Sequence, residues 1–201
     1  MTAYESKIAS RSVVRLLLGG VARFRSWLRI MKKVRKMRAQ GAKIGLPIGI
    51  GRSIVLPASK NLVIGDHCSF QTSHLDVRSP LKIGNHVIIG DDARIITASH
   101  NIDSPDWDFK AYGLEIGDYV WIATKAMILP SCRHIGRGAV IGAGSVVVKD
   151  VPDMAVVAGN PAQIIRYRKY VHTELCVEEL QGGDFPTYFK TALNLRFGRH
   201  A

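Results

Sequence analysis

The sequence predicts a mainly β fold, a β-helix wound from hexapeptide repeats, and three regularities between Lys82 and Lys149 carry that prediction. Every sixth position is aliphatic: Ile83, Ile89 and Ile95, then Ile116, Ile122 and Ile128, then Ile135, Ile141 and Val147. Four places after most of these stands a small residue, as at Val87, Ala93, Val120, Ala126, Ala139 and Ser145. Glycine follows many of them directly, at Gly84, Gly90, Gly117, Gly136 and Gly142. A period of six is neither the 3.6 of a helix nor the 2 of a hairpin series. Short strands coiling round a prism-shaped core account for it. The aliphatic marker points inward, the small residue stands where the wall nears the axis, and glycine turns the corner by entering left-handed conformations.

Composition bounds the rest. A chain of 201 residues fits one domain with small appendages. A hydrophobic content of 47 % and a mean hydropathy of +0.07 supply a continuous core. Cys68, Cys132 and Cys176 have no metal-like spacing and read as reduced thiols of a cytoplasmic protein. The net charge of +12 is local: residues 1–40 hold eleven Lys or Arg against one acid, Glu5, whereas the other 161 hold 17 bases and 15 acids. That distribution speaks against nucleic-acid binding by the coil.

Residues 4–38 read as helical. Val14, Leu17, Val21, Phe24, Leu28 and Met31 recur at spacings of three and four and form an apolar stripe. Arg23, Arg25, Arg29, Lys32, Lys33, Arg35, Lys36 and Arg38 surround it. Gly19-Gly20 is the expected point of division into two helices. The uncharged apolar run Leu16 to Ala22 is too short to span a bilayer, and Arg15 and Arg23 interrupt any signal-peptide core. Two compatible readings are open: an amphipathic helix on an anionic membrane surface, or a helix that caps the coil and packs against its own oligomer.

The coil begins at Lys43, with Ile44, Ile50 and Leu56 six apart and Ile64 and Phe70 continuing the series. Three hexapeptides close a circuit of about 18 residues, and circuits stack at ~4.8 Å. The circuit starts Ile44, Ile64, Ile83, Ile116 and Ile135 differ by 20, 19, 33 and 19 residues. The long step ejects one loop, residues 97–113, which contains His100, Asp103, Asp106, Asp108, Trp107 and Tyr112. Excursions of that length from a compact scaffold are usually functional. Pro152 and the turn Gly159-Asn160-Pro161 end the regular coil. In the tail, Val171 to Leu180 fits a short helix, and Phe185, Tyr188 and Phe189 fit packing on a neighbour. The domain reading is therefore a basic helical segment over 1–40, a β-helix over 41–166 and a C-terminal extension over 167–201.

Of the histidines His67, His74, His86, His100, His134, His172 and His200, none forms the pair five residues apart with which β-helical carbonic anhydrases hold zinc, so no metal is expected. His100 stands out because it lies where the coil breaks into its loop. An imidazole that titrates near ~6.5 suits a general base. Asp103, Asp106 and Asp108 are the carboxylates available to fix its tautomer, and the sequence does not choose among them.

The segments ITASHNID, IGDYVWIATKAMILP, IGRGAVIGAGSVVVKDVP and VVAGNPAQIIR resemble the hexapeptide-repeat acyltransferases. They are most similar to O-acetyltransferases of maltose, galactoside and nodulation-factor type and to those acting on surface polysaccharides. The resemblance covers residues 44–167 and implies a left-handed parallel β-helix, a homotrimer, and acetyl-CoA in a groove between subunits. It implies that His100 is the catalytic base of direct acyl transfer. It also implies that Trp121, Thr124, Ala143, Val148, Lys149 and Arg166 line the CoA channel, the two cations near its phosphates. Asp76, with Asp103, Trp107 and Asp108 of the loop, is a candidate contact for a sugar or glycan acceptor. Where the maltose and galactoside enzymes carry Asn-Phe-Asn facing the acceptor, this chain has Ser69-Phe70-Gln71, so the acceptor pocket is expected to differ. The expected activity is O-acetylation of a glycan precursor, with N-acetylation of an amino sugar or a non-catalytic scaffold at the membrane as alternatives.

Overall fold

A computed structural model describes residues 1–197 and shows a β-solenoid of about six turns with helices at both chain ends. His200 and the last residues of the extension lie outside the described residues. Successive turns lay short strands on three faces in the same order, face C carrying strands only from the third turn onward. Face A carries Lys43–Ile44, Leu62–Ile64, Leu81–Ile83, Leu114–Ile116 and His134–Ile135. Face B carries Ile48–Ile50, Cys68–Phe70, Ile88–Ile89, Trp121–Ile122, Val140–Ile141 and Ala155–Gly159. Face C carries Arg94–Ile95, Met127–Ile128 and Val146–Val147. Strands of successive turns pair in parallel with marker on marker, as in Ile64↔Ile83↔Ile116↔Ile135 and Ile89↔Ile122↔Ile141.

The six-residue period is a packing statement. None of the nine markers from Ile83 to Val147 is more than 3 % exposed, and the small residues between them are at most 1 % exposed. One continuous core therefore runs from Ile44 to Val157. Cys68 and Cys132 are buried in it, and burial pushes both thiols up to about 12, so they stay protonated and unreactive near neutrality.

The corners work differently from the sequence expectation. The glycines that follow the markers are not in the left-handed region; that conformation falls at the corner positions His67, His86, Asp92, Tyr119 and Lys125, with φ between 51° and 60°, and on glycine only at Gly138 and Gly144 of the later corners. The marker glycines are required by close approach instead. At Gly45, Gly65 and Gly84 the side chain of the next turn's Asp or Asn lies against the place a Cβ would take, with Asp66 Oδ1 2.3 Å, Asn85 Oδ1 2.5 Å and Asp118 Oδ1 2.5 Å from that position; at Gly90 and Gly117 the next turn's backbone does. Each such oxygen accepts a backbone N–H of the turn before it, from Leu46 at 2.8 Å, Asp66 at 2.8 Å and Asn85 at 2.6 Å. A ladder of carboxamides and carboxylates thus satisfies corner amides that the sheets leave unpaired. Beside it the left-handed residues stack, with His67, His86 and Tyr119 ring centroids 4.7 Å apart and nearly parallel.

The helices correct three expectations. The N-terminal segment divides at Ser10–Ser12, not at Gly19-Gly20, giving α1 (Ala3–Ala9) and α2 (Val13–Ala39). Capping decides the position: Thr2 and Ser12 each accept an amide of the first turn, and Gly19-Gly20 stays helical beneath Tyr188. The tail forms a 3₁₀ turn at Val177–Gln181, shorter than the helix expected over Val171 to Leu180, and then α3 (Phe185–Phe197), which the sequence did not announce. Tyr188 of α3 packs with Tyr4 and Ile8 of α1, so this aromatic serves a satellite core of its own chain.

Only the second half of α2 meets the coil. Ile30, Val34 and Met37 join its core, and Lys33 Nζ donates to the carbonyls of Gly51 at 2.9 Å, Arg52 at 3.0 Å and Ile54 at 2.6 Å. That closes the first turn, as a repeat stack requires of its ends. The N-terminal half is clasped from the side. Asp184, fully buried, accepts from Tyr4 Oη and Arg23 Nε, both at 2.7 Å, and Tyr188 Oη donates to the Leu16 carbonyl at 2.9 Å. The Asp184 hydrogen bond and desolvation hold the Tyr4 phenol well above the usual range, desolvation being the larger cause.

Two glycine substitutions should act with opposite signs. Gly84→Ala places a Cβ 2.5 Å from Asp118 Oδ1 and 2.8 Å from its backbone nitrogen and should destabilise by about 1–3 kcal/mol. Gly20→Ala meets its nearest atom at 3.7 Å and should stabilise by about 0.5–1 kcal/mol. Urea denaturation of both variants tests the corner geometry.

Candidate functional site

The ejected loop is an antiparallel hairpin. Its strands Ala98–His100 and Phe109–Ala111 pair with His100 opposite Phe109. It leaves the solenoid where face C passes to face A, after Ile95 of the third turn, and returns at Leu114 of the fourth. His100 is exposed on it and is held in two ways. Its Nδ1 lies 2.6 Å from the carbonyl oxygen of Trp107, and its ring meets the Phe109 ring edge-on at 5.9 Å. A carbonyl only accepts, so Nδ1 carries the proton and Nε2 keeps its lone pair. The tautomer is thus fixed by backbone, and none of Asp103, Asp106 and Asp108 supplies the partner that sequence reasoning looked for. Asp108 accepts from the Ser104 hydroxyl at 2.6 Å, and Asp103 and Asp106 are engaged through their amides, on Asn101 and Ser104.

The hairpin is fastened at its base by Asp76. Its carboxylate accepts from Arg78 Nε and Nη2 at 2.9 Å each, from the Arg78 amide at 3.0 Å and from the Thr97 amide at 3.0 Å. Arg78 in turn lies over the Phe109 ring, 5.7 Å from its centroid. Asp76, Arg78, Phe109 and His100 form one line of contacts from coil to hairpin. Burial alone would raise the Asp76 pKa, but the hydrogen bonds from Arg78 and Thr97 outweigh it and draw it down to about 2. The pair is therefore intact above about pH 4 and is lost as pH falls through about 2. Asp76 thus has its oxygens committed inside the chain rather than offered to an acceptor. Arg78 and Phe109 were missed from sequence; the Asp-x-Arg before Ser79-Pro80 is an Asx-turn signal that points to the first of them.

The residues expected along a CoA channel fall into two groups. Trp121, 48 % exposed, heads a row across face B in register with Val140 and Val156, and Arg166 pairs with Val156 from the antiparallel strand Ala162–Tyr167. Thr124 and Ala143 occupy the adjoining B-to-C corner in consecutive turns, where the Gly144 amide donates to the Thr124 carbonyl at 3.0 Å. A cleft of about 90 Å³ opens beside Trp121, lined by His86, Tyr119, Arg168 and His172. Val148 and Lys149 lie elsewhere, on the C-to-A edge two turns beyond the hairpin that carries His100. A prism edge between faces C and A is opposite face B. The fold therefore keeps His100, Val148 and Lys149 apart from Trp121, Thr124, Ala143 and Arg166 within one chain.

Ser69 does not face an acceptor. It points outward on face B, yet it is fully buried, because the 3₁₀ turn Val177–Gln181 covers the first two turns of that face. Gly49 beside it has no room for a Cβ, with the Glu178 carbonyl 2.8 Å from that position. Phe70 points into the core, and Gln71 is half-buried at the next corner, its amide donating to the Ile89 carbonyl at 2.9 Å. Sequence reasoning could not see this cover, since the tail lacks the repeat that announces the coil. Among the described residues no three His, Cys, Asp or Glu side chains converge as a metal site.

No protein-family model matches the chain. It is 34 % identical over 139 residues to WcaF of Escherichia coli K12, named for acetyl transfer in colanic acid biosynthesis, across 69 % of this chain and 75 % of that one. It is 34 % identical to the galactoside O-acetyltransferase of Lactococcus lactis over 62 % of this chain, and spans 55 % of that enzyme. Among solved structures, the maltose O-acetyltransferase of Clostridium difficile 630 superposes with a TM-score of 0.56 at 31 % identity, covering 67 % of this chain and 73 % of that one. A hexapeptide-repeat acetyltransferase of Vibrio cholerae shares the fold over 82 % of this chain and 99 % of its own, with a TM-score of 0.58 at 24 % identity.

Asp76→Ala should leave the coil folded while orphaning the Thr97 amide, a loss on the order of 1–3 kcal/mol local to the hairpin. Hydrogen–deuterium exchange over residues 97–111 should quicken by about tenfold or more, with the markers of the solenoid unaffected.

Proposed function

The chain belongs to the hexapeptide-repeat acetyltransferases, and from that premise we propose that it transfers the acetyl group of acetyl-CoA to a hydroxyl of a sugar or glycan precursor of surface-polysaccharide type. One observation carries the chemistry. The Trp107 carbonyl holds Nδ1–H of His100, leaving Nε2 as a free base at the tip of a rigidly fastened hairpin. An acceptor hydroxyl that donates to Nε2 loses its proton as its oxygen attacks the thioester carbonyl. Collapse of the tetrahedral adduct breaks the carbon–sulfur bond, and the imidazolium returns the proton to the departing CoA thiolate. No residue is acylated on the way, so the atoms balance with one histidine.

The donor would lie along Trp121, with small Ala143 admitting the pantetheine arm and Lys149 and Arg166 meeting its phosphates by charge-assisted bonds. Because His100 stands on the edge opposite Trp121, the reading requires a second copy to complete each site. A homotrimer with three shared sites is the closed assembly it implies. Asp103, Trp107 and Asp108, exposed on the hairpin that carries His100, would be the contacts of the acceptor. The eleven bases of residues 1–40 fit an enzyme of the cytoplasm resting on the anionic inner membrane face.

His100→Ala should keep acetyl-CoA binding in a calorimetric titration and lower acetyl transfer by roughly 10²–10⁴-fold; retained turnover removes His100 from the mechanism. Mixing that variant with an inactive Trp121→Ala chain tests the shared site. Random co-assembly should restore about a quarter of the wild-type sites, whereas a site within one chain restores none.

A further inference from the structure

The N-terminal half of α2 leaves the coil and turns an apolar surface to solvent. On it, Val14, Leu18, Val21, Arg25, Leu28 and Lys32 follow one another at alternating steps of four and three and so share one stripe, which is exposed throughout. The stripe is aliphatic toward the N-terminus and cationic toward the coil. Beside it, α3 runs against α2, and between them opens a groove of about 740 Å³ lined by Leu17, Val21, Phe24, Phe185, Phe189 and Leu193. Leu17 is 67 % exposed, Leu18 66 % and Phe189 55 %, a concentration of bare apolar surface that soluble faces rarely carry. Neither helix contains an acidic residue, and α2 alone carries nine bases. No helix of the described residues is long and apolar enough to cross a membrane.

We propose that α2 and α3 together form an interfacial lipid-binding face, in which acyl chains of an anionic bilayer leaflet enter the groove while the bases of α2 hold the headgroup phosphates. The proposal rests on the membrane reading given above and extends it. The contact is made by two helices from opposite ends of the chain, and the C-terminal one supplies half of the hydrocarbon surface. Charge and shape choose the occupant. Arg23 is paired with Asp184 and Lys33 is held by the coil, but Arg25, Arg29 and Lys32 carry no acidic partner among the described residues; a second protein copy would meet these cations, whereas an anionic leaflet offers phosphate at the rim and hydrocarbon at the depth of the groove. The clasp of Tyr4, Arg23 and Asp184 holds the two helices at the spacing that keeps the groove open.

Co-sedimentation with phosphatidylglycerol-containing vesicles tests this, with phosphatidylcholine vesicles as the uncharged control. Full-length protein should bind the former and release with salt. Phe189→Ser/Leu193→Ser on α3, and separately Leu17→Gln/Leu18→Gln on α2, should each weaken partitioning by about tenfold or more while acetyl transfer to a water-soluble acceptor is unchanged. All four side chains are exposed, so folding is preserved, and circular dichroism confirms it. If the α3 variant partitions like wild type while Arg25→Gln/Arg29→Gln/Lys32→Gln does not, the groove proposal fails and the membrane reading stands. Wild-type protein that ignores anionic vesicles sinks both. A wild-type assembly beyond the trimer that the α3 variant dissolves assigns the groove to a second copy and overturns the lipid proposal.

Discussion

The close stacking of one turn upon the next is the constraint on which everything else in this protein depends. Parallel strands of two or three residues hold too few hydrogen bonds to stand alone, so each turn is stable only against its neighbours. Their spacing leaves no volume at the corners. The Cβ of Gly45, Gly65 or Gly84 would overlap the Asx side chain of the following turn, and that same side chain satisfies a corner amide. Glycine and Asx are thus two halves of one device. The strain of left-handed backbone falls on neighbouring residues such as His67, His86 and Tyr119, whose rings stack along the edge.

Against so uniform a wall, the proposed chemistry sits where the wall is interrupted. The step of 33 residues ejects a hairpin without disturbing register, since Ile83 and Ile116 still pair directly. Asp76 fastens the hairpin at its root and Trp107 fixes the histidine near its tip. A backbone carbonyl serves here where a carboxylate is the more familiar partner of a histidine. Trp121, Thr124, Ala143 and Arg166 lie across the prism, so assembly of copies, rather than folding of one, brings donor and base together in the proposed enzyme.

The two ends of the chain are organised around each other rather than around the coil alone. The 3₁₀ turn Val177–Gln181 covers the first turns of face B, and Asp184 draws Tyr4 and Arg23 onto the same point. A buried carboxylate is costly unless paired, and here it receives two hydrogen bonds, one from a guanidinium. The helix α2 is consequently divided in role. Ile30, Val34 and Met37 stop the core at its open end, while the residues before Leu28 remain outside it.

The sequence by itself determined the solenoid. Periodic aliphatics specify an inward direction at every sixth residue, and that signal is local enough to be read without any knowledge of distant partners. It also located His100, because a break in a strict period is itself visible. The tertiary structure alone decided what surrounds these features. The division at Ser10–Ser12 followed from capping hydrogen bonds, and the burial of Ser69 followed from a tail more than a hundred residues away in sequence. Asp76 took its role from Arg78 and Thr97, and the His100 tautomer from a backbone carbonyl that has no sequence signature. Helix α3 gave little warning because its apolar residues are divided between packing, as at Tyr188, and exposure, as at Phe189, Leu193 and Leu195, so they leave no clean stripe. Periodicity reports where a residue points relative to its own element; only the folded chain reports what it meets there.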